Sequence, residues 1–205
     1  MIRNLRHPAL WLFLVLFAGM VVACSGGKSA VRTDAKGHKL GMYGTLAASV
    51  YMPLKLGNTW TYRRSFLGEV GQVRVTVEHR ESDGTFVDSA GGRLRLSRLG
   101  LSDGVRFLLE EPLSAGHKWR AQIAPNMAEH FEIVEDNAKV TVPAGIFEQC
   151  LVVRSVTHYS LTTRMVNLVS YAPDVGMIRN ETILENDRGN RQTQVLLELE
   201  SYQLP

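Results

Sequence analysis

From Tyr51 onward, apolar and polar residues alternate with a period near two. This restricts the chain to extended strands with one covered face. Val73, Val75 and Val77 alternate with Arg74, Thr76 and Glu78, and Leu94 and Leu96 alternate with Arg93, Arg95 and Ser97. The runs Phe131 to Val134, Val140 to Val142, Cys150 to Thr157, Met165 to Tyr171 and Val195 to Tyr202 are rich in β-branched and aromatic residues, which suit a pleated surface. Asp83-Gly84, Asp103-Gly104 and Arg188-Gly189-Asn190 carry the residues that tight hairpin turns demand. No long helix-period segment follows residue 51, which argues against alternating β-α units. The expected fold is all-β: an antiparallel meander or partly closed barrel of about eight to ten strands, in a single domain over residues 51-205. Asn126 to Glu129 and Leu113 to Gly116 could each make one helical turn, and Gly41 to Met52 is compatible with a short helix or a first strand.

The first 23 residues have a different character. Sixteen of them, Pro8 to Ala23, carry no charged side chain, and Arg3 and Arg6 stand in front. This is the pattern of a secretory signal. A spanning helix needs about 20 apolar residues, and here a small-residue site is followed at once by Ser25-Gly26-Gly27-Lys28. Val21-Val22-Ala23-Cys24 resembles the lipobox of bacterial lipoproteins. The resemblance implies that Val21, Val22 and Ala23 are read by the signal peptidase. It also implies that Cys24 receives a diacylglyceryl group and that its freed amino group takes a further fatty chain such as palmitate. Each buried methylene contributes roughly 0.8 kcal/mol, so two or three chains hold where one binds reversibly. The alternative is an ordinary signal peptide with Cys24 incidental. Ser25 after the cysteine implies, by analogy with enteric bacteria, the outer membrane. Residues 24-50 lack sustained apolar periodicity and read as a lipidated tether. A flexible segment of that length would hold the domain roughly 25 to 30 Å from its anchor.

Charge and cysteine content narrow the partners. The chain has 23 basic and 20 acidic residues, and removing the two arginines of the signal leaves 21 against 20, a balance of +1. With no basic stripe or patch, nucleic acid is not expected as a partner. Once Cys24 is lipidated, only Cys150 remains, so no internal disulfide forms. Cys150 lies in the apolar run Gln149-Cys150-Leu151-Val152-Val153 and reads as a small buried hydrophobe.

Catalytic patterns are few. Gly100-Leu101-Ser102-Asp103-Gly104 matches Gly-x-Ser-x-Gly, and Ser102, Asp136 and His158 can be written as a triad. A nucleophile elbow, however, needs a helix after the serine, and Val105-Arg106-Phe107-Leu108-Leu109 reads as a returning strand. His38, His79, His117, His130 and His158 are scattered singly, without metal-ligand spacing. Glu110-Glu111 and Glu81 with Asp83 read as solvated. No catalytic residue, metal or cofactor is therefore assigned, and the chain is not expected to be an enzyme. Trp60, Tyr62 and Trp119 are candidate ligand-lining or core aromatics, and Phe86, Phe107, Phe131 and Phe147 share that choice. Aromatic residues on strands more often form simple core.

Three punctuated segments stand out: Pro53-Leu54-Lys55-Leu56-Gly57-Asn58-Thr59-Trp60-Thr61-Tyr62, Val142-Pro143-Ala144-Gly145-Ile146-Phe147, and Tyr171-Ala172-Pro173-Asp174-Val175-Gly176. Together they resemble a pattern in uncharacterised secreted or lipid-anchored bacterial proteins, which brings no catalytic residues with it. In broad architecture the chain is also similar to lipoprotein carriers, whose curved sheet shelters acyl chains under helical lids; clear lid helices are missing here. The expected function is a non-enzymatic, lipid-anchored cell-envelope protein, a binding or assembly module on the periplasmic face of the outer membrane. It would touch the membrane through the lipid on Cys24 and would have an envelope protein as its partner. The alternatives are a carrier of a lipid or other hydrophobic ligand, and a hydrolase or metal enzyme assembled from distant residues.

Overall fold

Alternation becomes a wall when each strand pairs with the next across a tight turn, and this chain does so almost throughout. The computed structural model describes residues 32–33, 39–40 and 47–205. The expected signal peptide 1-23 with Val21, Val22 and Ala23, the lipidation site Cys24, and most of the expected tether lie outside the described residues.

A two-residue ladder, β1 (Arg32–Thr33) with β2 (Lys39–Leu40), precedes a short helix, α1 (Ala47–Tyr51). The barrel strands follow. They are β3 (Thr59–Phe66), β4 (Glu69–Arg80), β5 (Phe86–Asp88), β6 (Arg93–Ser97), β7 (Gly100–Ser102) and β8 (Phe107–Glu110), then β9 (Lys118–Ala124), β10 (Met127–Val142), β11 (Gly145–His158), β12 (Thr163–Ala172), β13 (Gly176–Asn186) and β14 (Arg191–Gln203). They form one antiparallel sheet of 12 strands in the order β8-β7-β6-β5-β4-β3-β14-β13-β12-β11-β10-β9. The all-β meander is as expected. The strand count exceeds eight to ten because β5, β7 and β8 are only three or four residues long, too short to show a period.

Every pairing in this sheet joins consecutive strands except one, between the first barrel strand β3 and the last, β14. The two edge strands, β8 and β9, are themselves consecutive, so the nearly closed barrel has its seam between sequence neighbours. Because strands alternate in direction, their turns fall at two ends. The turns at 67–68, 103–106, 125–126, 159–162 and 187–190 lie at a rim end. Those at 81–85, 111–117, 143–144 and 173–175 lie at the other, which α1 plugs with Ala48 and Tyr51 fully or almost fully buried.

The segment left open between helix and strand thus ends in a helix, held by Asp174 N–H donating to Val50 O at 2.6 Å. Residues 126–129 form a turn and the start of β10 rather than a helical turn, since Met127 pairs with Ala124. Residues 113–116 are a turn between β8 and β9. The hairpin tips at Asp83-Gly84, Asp103-Gly104 and Arg188-Gly189-Asn190 stand where the sequence puts them.

Inward residues of all 12 strands build one core around Trp60, Tyr62, Leu101, Leu109, Ile133 and Leu151. A second, small row on the outer face, Val156, Val166 and Ile183 with Leu168, runs across β11, β12 and β13. Two of the distinctive segments meet at the plug end. Trp60 Nε1 donates to Val175 O at 2.7 Å, and Tyr62 Oη donates to Met177 O at 3.0 Å. Gly176 has φ 110°, and a Cβ there would lie 3.2 Å from Met52 Sδ and 3.3 Å from Trp60 Nε1, so only glycine lets the indole sit down. The third segment, the β10–β11 turn, folds onto β14 through Ala144 N–H to Leu199 O at 2.8 Å and the Phe147–Tyr202 ring contact.

Candidate functional site: the barrel interior and its seam

Inside the barrel, toward the rim, the inward positions of four neighbouring strands are polar. Glu129 on β10, Ser155 on β11, Asn167 on β12 and Thr182 on β13 are all buried. Burial strips these groups of water, so they must satisfy one another. Thr182 Oγ1 donates to Asn167 Oδ1 at 2.8 Å, Asn167 Nδ2 donates to Ser155 Oγ at 3.2 Å, and Ser155 Oγ donates to Glu129 Oε1 at 2.6 Å. The other carboxylate oxygen of Glu129 receives Arg106 Nη1, from the β7–β8 turn on the far side of the seam. Arg106 Nε in turn donates to Asp103 Oδ2 at 3.0 Å.

This relay spans β13 to β10 and fastens the seam where backbone pairing is missing. The seam is also fastened by Trp119 Nε1, which donates to Phe107 O at 2.9 Å, while His117 Nε2 stands 3.4 Å from a Glu110 carboxylate oxygen without a hydrogen bond. Trp119 is also sandwiched, 5.1 Å from Phe131 and 5.5 Å from His117 by ring centroids.

Below the relay lies a cavity of about 40 Å³ open to the centres of water molecules. A single water needs about 10 to 15 Å³ of such space, so there is room for a few waters or a few-atom molecule. Its wall is mostly apolar, with Trp60, Tyr62, Leu101, Phe131, Tyr171 and Met177. Asp88, Glu129, Ser155, Asn167 and Asn180 contribute polar atoms. Asp88 Oδ1 accepts from the backbone N–H of Ala90 at 2.7 Å and of Gly92 at 3.1 Å. Asn180 Oδ1 is different: the residue is 4% exposed and this oxygen has no hydrogen-bond partner. Its cross-strand neighbours are Val169 and Leu197, which offer nothing to donate. Leaving such an acceptor unpaired costs about 1–3 kcal/mol.

Burial holds the tyrosine hydroxyls of this interior neutral. It pushes Tyr62 and Tyr171 well above the ordinary tyrosine value, and it raises Tyr51 in the plug to about 12.

The residues singled out in the sequence fall as follows. Trp60 and Tyr62 are core residues that also form cavity wall, and Trp119 belongs to the seam. Ser102 ends β7 near the rim and exposed His158 ends β11, whereas Asp136 accepts Ala115 N–H at 2.9 Å beside the turn at the plug end; the three are not brought together. His79 and His130 are exposed, and His38 lies outside the described residues. Among the described residues no group of three or more His, Cys, Asp or Glu is placed to hold a metal ion. Cys150 is buried and is not in a disulfide.

Of the paired carboxylates, Glu81 pairs with Arg93 and Asp83 caps Thr85, both at an exposed turn. Glu111 departs from the solvated expectation. It is half-buried, its carboxyl is raised by that burial, and it accepts the N–H of Leu113 and of Ala48 at the start of α1. Sequence reasoning passed over Glu129, Asn167 and Asn180. The signal was present in polar residues sitting on the inward phase of otherwise apolar strands.

No protein-family profile and no curated protein matches the chain. Two solved structures are similar to it. One, described as an exported protein with a YmcC-like fold from Bacteroides fragilis, shares 18% identity at a TM-score of 0.46, with 76% of this chain and 99% of that chain covered. The other, described as a lipoprotein from Parabacteroides distasonis, shares 13% identity at a TM-score of 0.40, with 75% of this chain and 98% of that chain covered.

Proposed function

We propose that this protein is a non-enzymatic, lipid-anchored module of the bacterial cell envelope, held by acyl chains on Cys24 at the periplasmic face of the outer membrane. It would work by presenting its barrel to another envelope protein. The observation that carries this reading is the rim. The chain enters the barrel through α1 at the plug end, and the opposite end displays Leu67 and Val70 on one hairpin, Val105 on a second, and Tyr159 and Leu161 on a third. Leu161 is fully exposed, and Leu67 occupies a turn position at φ 48° where asparagine or glycine would be cheaper. Exposed apolar side chains also occur at the plug end, at Leu56, Leu99, Ile146 and Tyr202. At the rim these side chains stand on three separate hairpins, and Leu67 is held there against backbone preference as well as hydration.

The interior supports the same reading. Glu129, Ser155, Asn167 and Thr182 satisfy each other in a structural relay, and space for a few waters does not hold an acyl chain. A carrier of intact lipid is therefore the weaker alternative. Photo-crosslinking in cells from Leu161 and from Val105, with exposed Val134 on the barrel wall as control, tests the proposal. A specific envelope protein captured from the rim positions and not from Val134 is expected. Equal capture from all three, or none, overturns it. The anchor has its own test: Cys24→Ser should release the exported protein from membranes and remove its lipid mass.

A further inference from the structure

We infer that His117 is an acid-sensitive clasp at the plug end of the barrel: protonated, it ties Glu110 at the end of β8 to the start of β9 and strengthens the hold on α1. The seam is fastened at the rim by Arg106 with Glu129, and farther down by the Trp119 indole on Phe107 O. At the plug end the next pair is incomplete. His117 Nε2 is buried without a hydrogen-bond partner and stands 3.4 Å from Glu110 Oε1. A neutral imidazole has one N–H to give and the imidazolium has two, so a proton on this nitrogen completes the pair. The residue is held in place for it. Its ring stacks on Trp119 at 5.5 Å between centroids, its backbone N–H donates to Ser114 O at 3.1 Å, and its carbonyl accepts Ile133 N–H from β10 at 2.9 Å.

The surrounding charges set the sign. Glu110 and Glu111 come from the β8 side, and Asp136 on β10 accepts Ala115 N–H. Toward α1 the titratable groups are Tyr51 and Asp174. Of the nearby cations, Lys118 on β9 is turned to Glu132 at 3.1 Å, and Arg98 is exposed on the turn that Glu111 N–H reaches through Leu99 O. A positive charge on His117 therefore enters a mainly acidic neighbourhood. Glu111 gains from it as well. Burial pushes its carboxyl up, while the N–H groups of Leu113 and Ala48 and positive charge at His117 bring it down. A charged His117 thus offsets part of the cost of keeping Glu111 ionised where it receives the first N–H groups of α1. Histidine changes charge between about pH 5 and 8. The clasp is engaged at the acid end of that range and is lost as pH rises through it.

The experiment is an NMR titration of the full exported chain carrying Cys24→Ser, from pH 8 to pH 5, with hydrogen exchange at pH 7.5 and 5.5 corrected for its intrinsic pH dependence. As the His117 ring titrates, the Trp119 indole N–H and the Ala48 and Leu113 amides are expected to shift with the same midpoint. Protection of the indole and of Ala48 should rise about two- to fivefold at pH 5.5, the scale of a part-exposed ion pair. His117→Phe keeps a ring against Trp119 and should abolish both responses, and Glu110→Gln should abolish the gain at the indole. The titration needs neither substitution, so it decides the matter even if a variant fails to fold. His117 titrating without these three signals, protection that stays level or falls on acidification, or a response that survives His117→Phe or Glu110→Gln overturns the inference. None of these outcomes bears on the rim or on the lipid anchor.

Discussion

The indole Nε1 of Trp60 donates to the carbonyl of Val175, 115 positions further along the chain, at 2.7 Å. This bond and that from Tyr62 to Met177 reach past β14 and pin β3 to the start of β13 across the floor of the barrel. Trp60→Phe keeps most of the ring and deletes the donor, leaving a buried carbonyl unpaired. A loss of about 1–3 kcal/mol in urea unfolding is expected. Trp60→Ala adds the cavity and should cost about 3–5 kcal/mol.

Gly100 is the first glycine of the Gly-x-Ser-x-Gly match, and its role is steric. It has φ 134°, and a Cβ there would lie 2.0 Å from the carbonyl oxygen of Leu109 on the paired strand β8. Gly100→Ala should cost about 3 kcal/mol or more or prevent folding, because backbone must move. Gly71→Ala, where nothing lies within 4 Å, should change stability by no more than about 1 kcal/mol. Thermal melts of the two variants separate these outcomes. Ser102→Ala, by contrast, should leave the fold unchanged.

Arg106 and Glu129 close the seam with an ion pair whose side chains are 14% and 2% exposed. Removing one partner strands the other. Arg106→Met or Glu129→Leu alone should therefore cost about 3–5 kcal/mol, while the double replacement should recover most of that loss. A double-mutant cycle by chemical denaturation measures the coupling. Hydrogen exchange in β8 and β9 should rise in the single variants before exchange in β12 does.

Alkaline pH should unfold the protein in a defined window. Tyr51, Tyr62 and Tyr171 have pKa values raised by burial, so the folded state keeps protons that the unfolded state loses near pH 10. Their contribution is fully present below pH 10 and falls as pH climbs through the folded value, which for Tyr51 is about 12. Absorbance titration should show these three hydroxyls ionising together with loss of near-ultraviolet dichroism, after the exposed tyrosines.

The parts legible in the sequence were those governed by local rules. Val73, Val75 and Val77 announced a strand, and Asp83-Gly84 and Asp103-Gly104 announced its neighbours' turns. β13 did not announce itself: Met177, Ile178, Ile183 and Leu184 are apolar on both phases, while Asn180 and Thr182 interrupt the inward one. Where both faces are covered, as on β12 with Val166 outside and Val169 inside, alternation no longer marks which side is which. The site was hidden for the same reason. Asn167 and Asn180 read as ordinary polar strand residues until the register puts them on one wall. The convergence of the Trp60 and Gly176 segments was equally invisible, because no local rule pairs positions so far apart.

The β3–β14 ladder has a consequence for how this molecule comes to exist. All other neighbours can zip from local hairpins, but the hoop is fastened only when the last strand meets the first, a contact whose loop-closure entropy must be met late. Until β14 has been made, β3 offers a bare edge to any passing strand. A chain still emerging is therefore a ribbon with a sticky border, and the final hairpin is the buckle that turns it into a vessel.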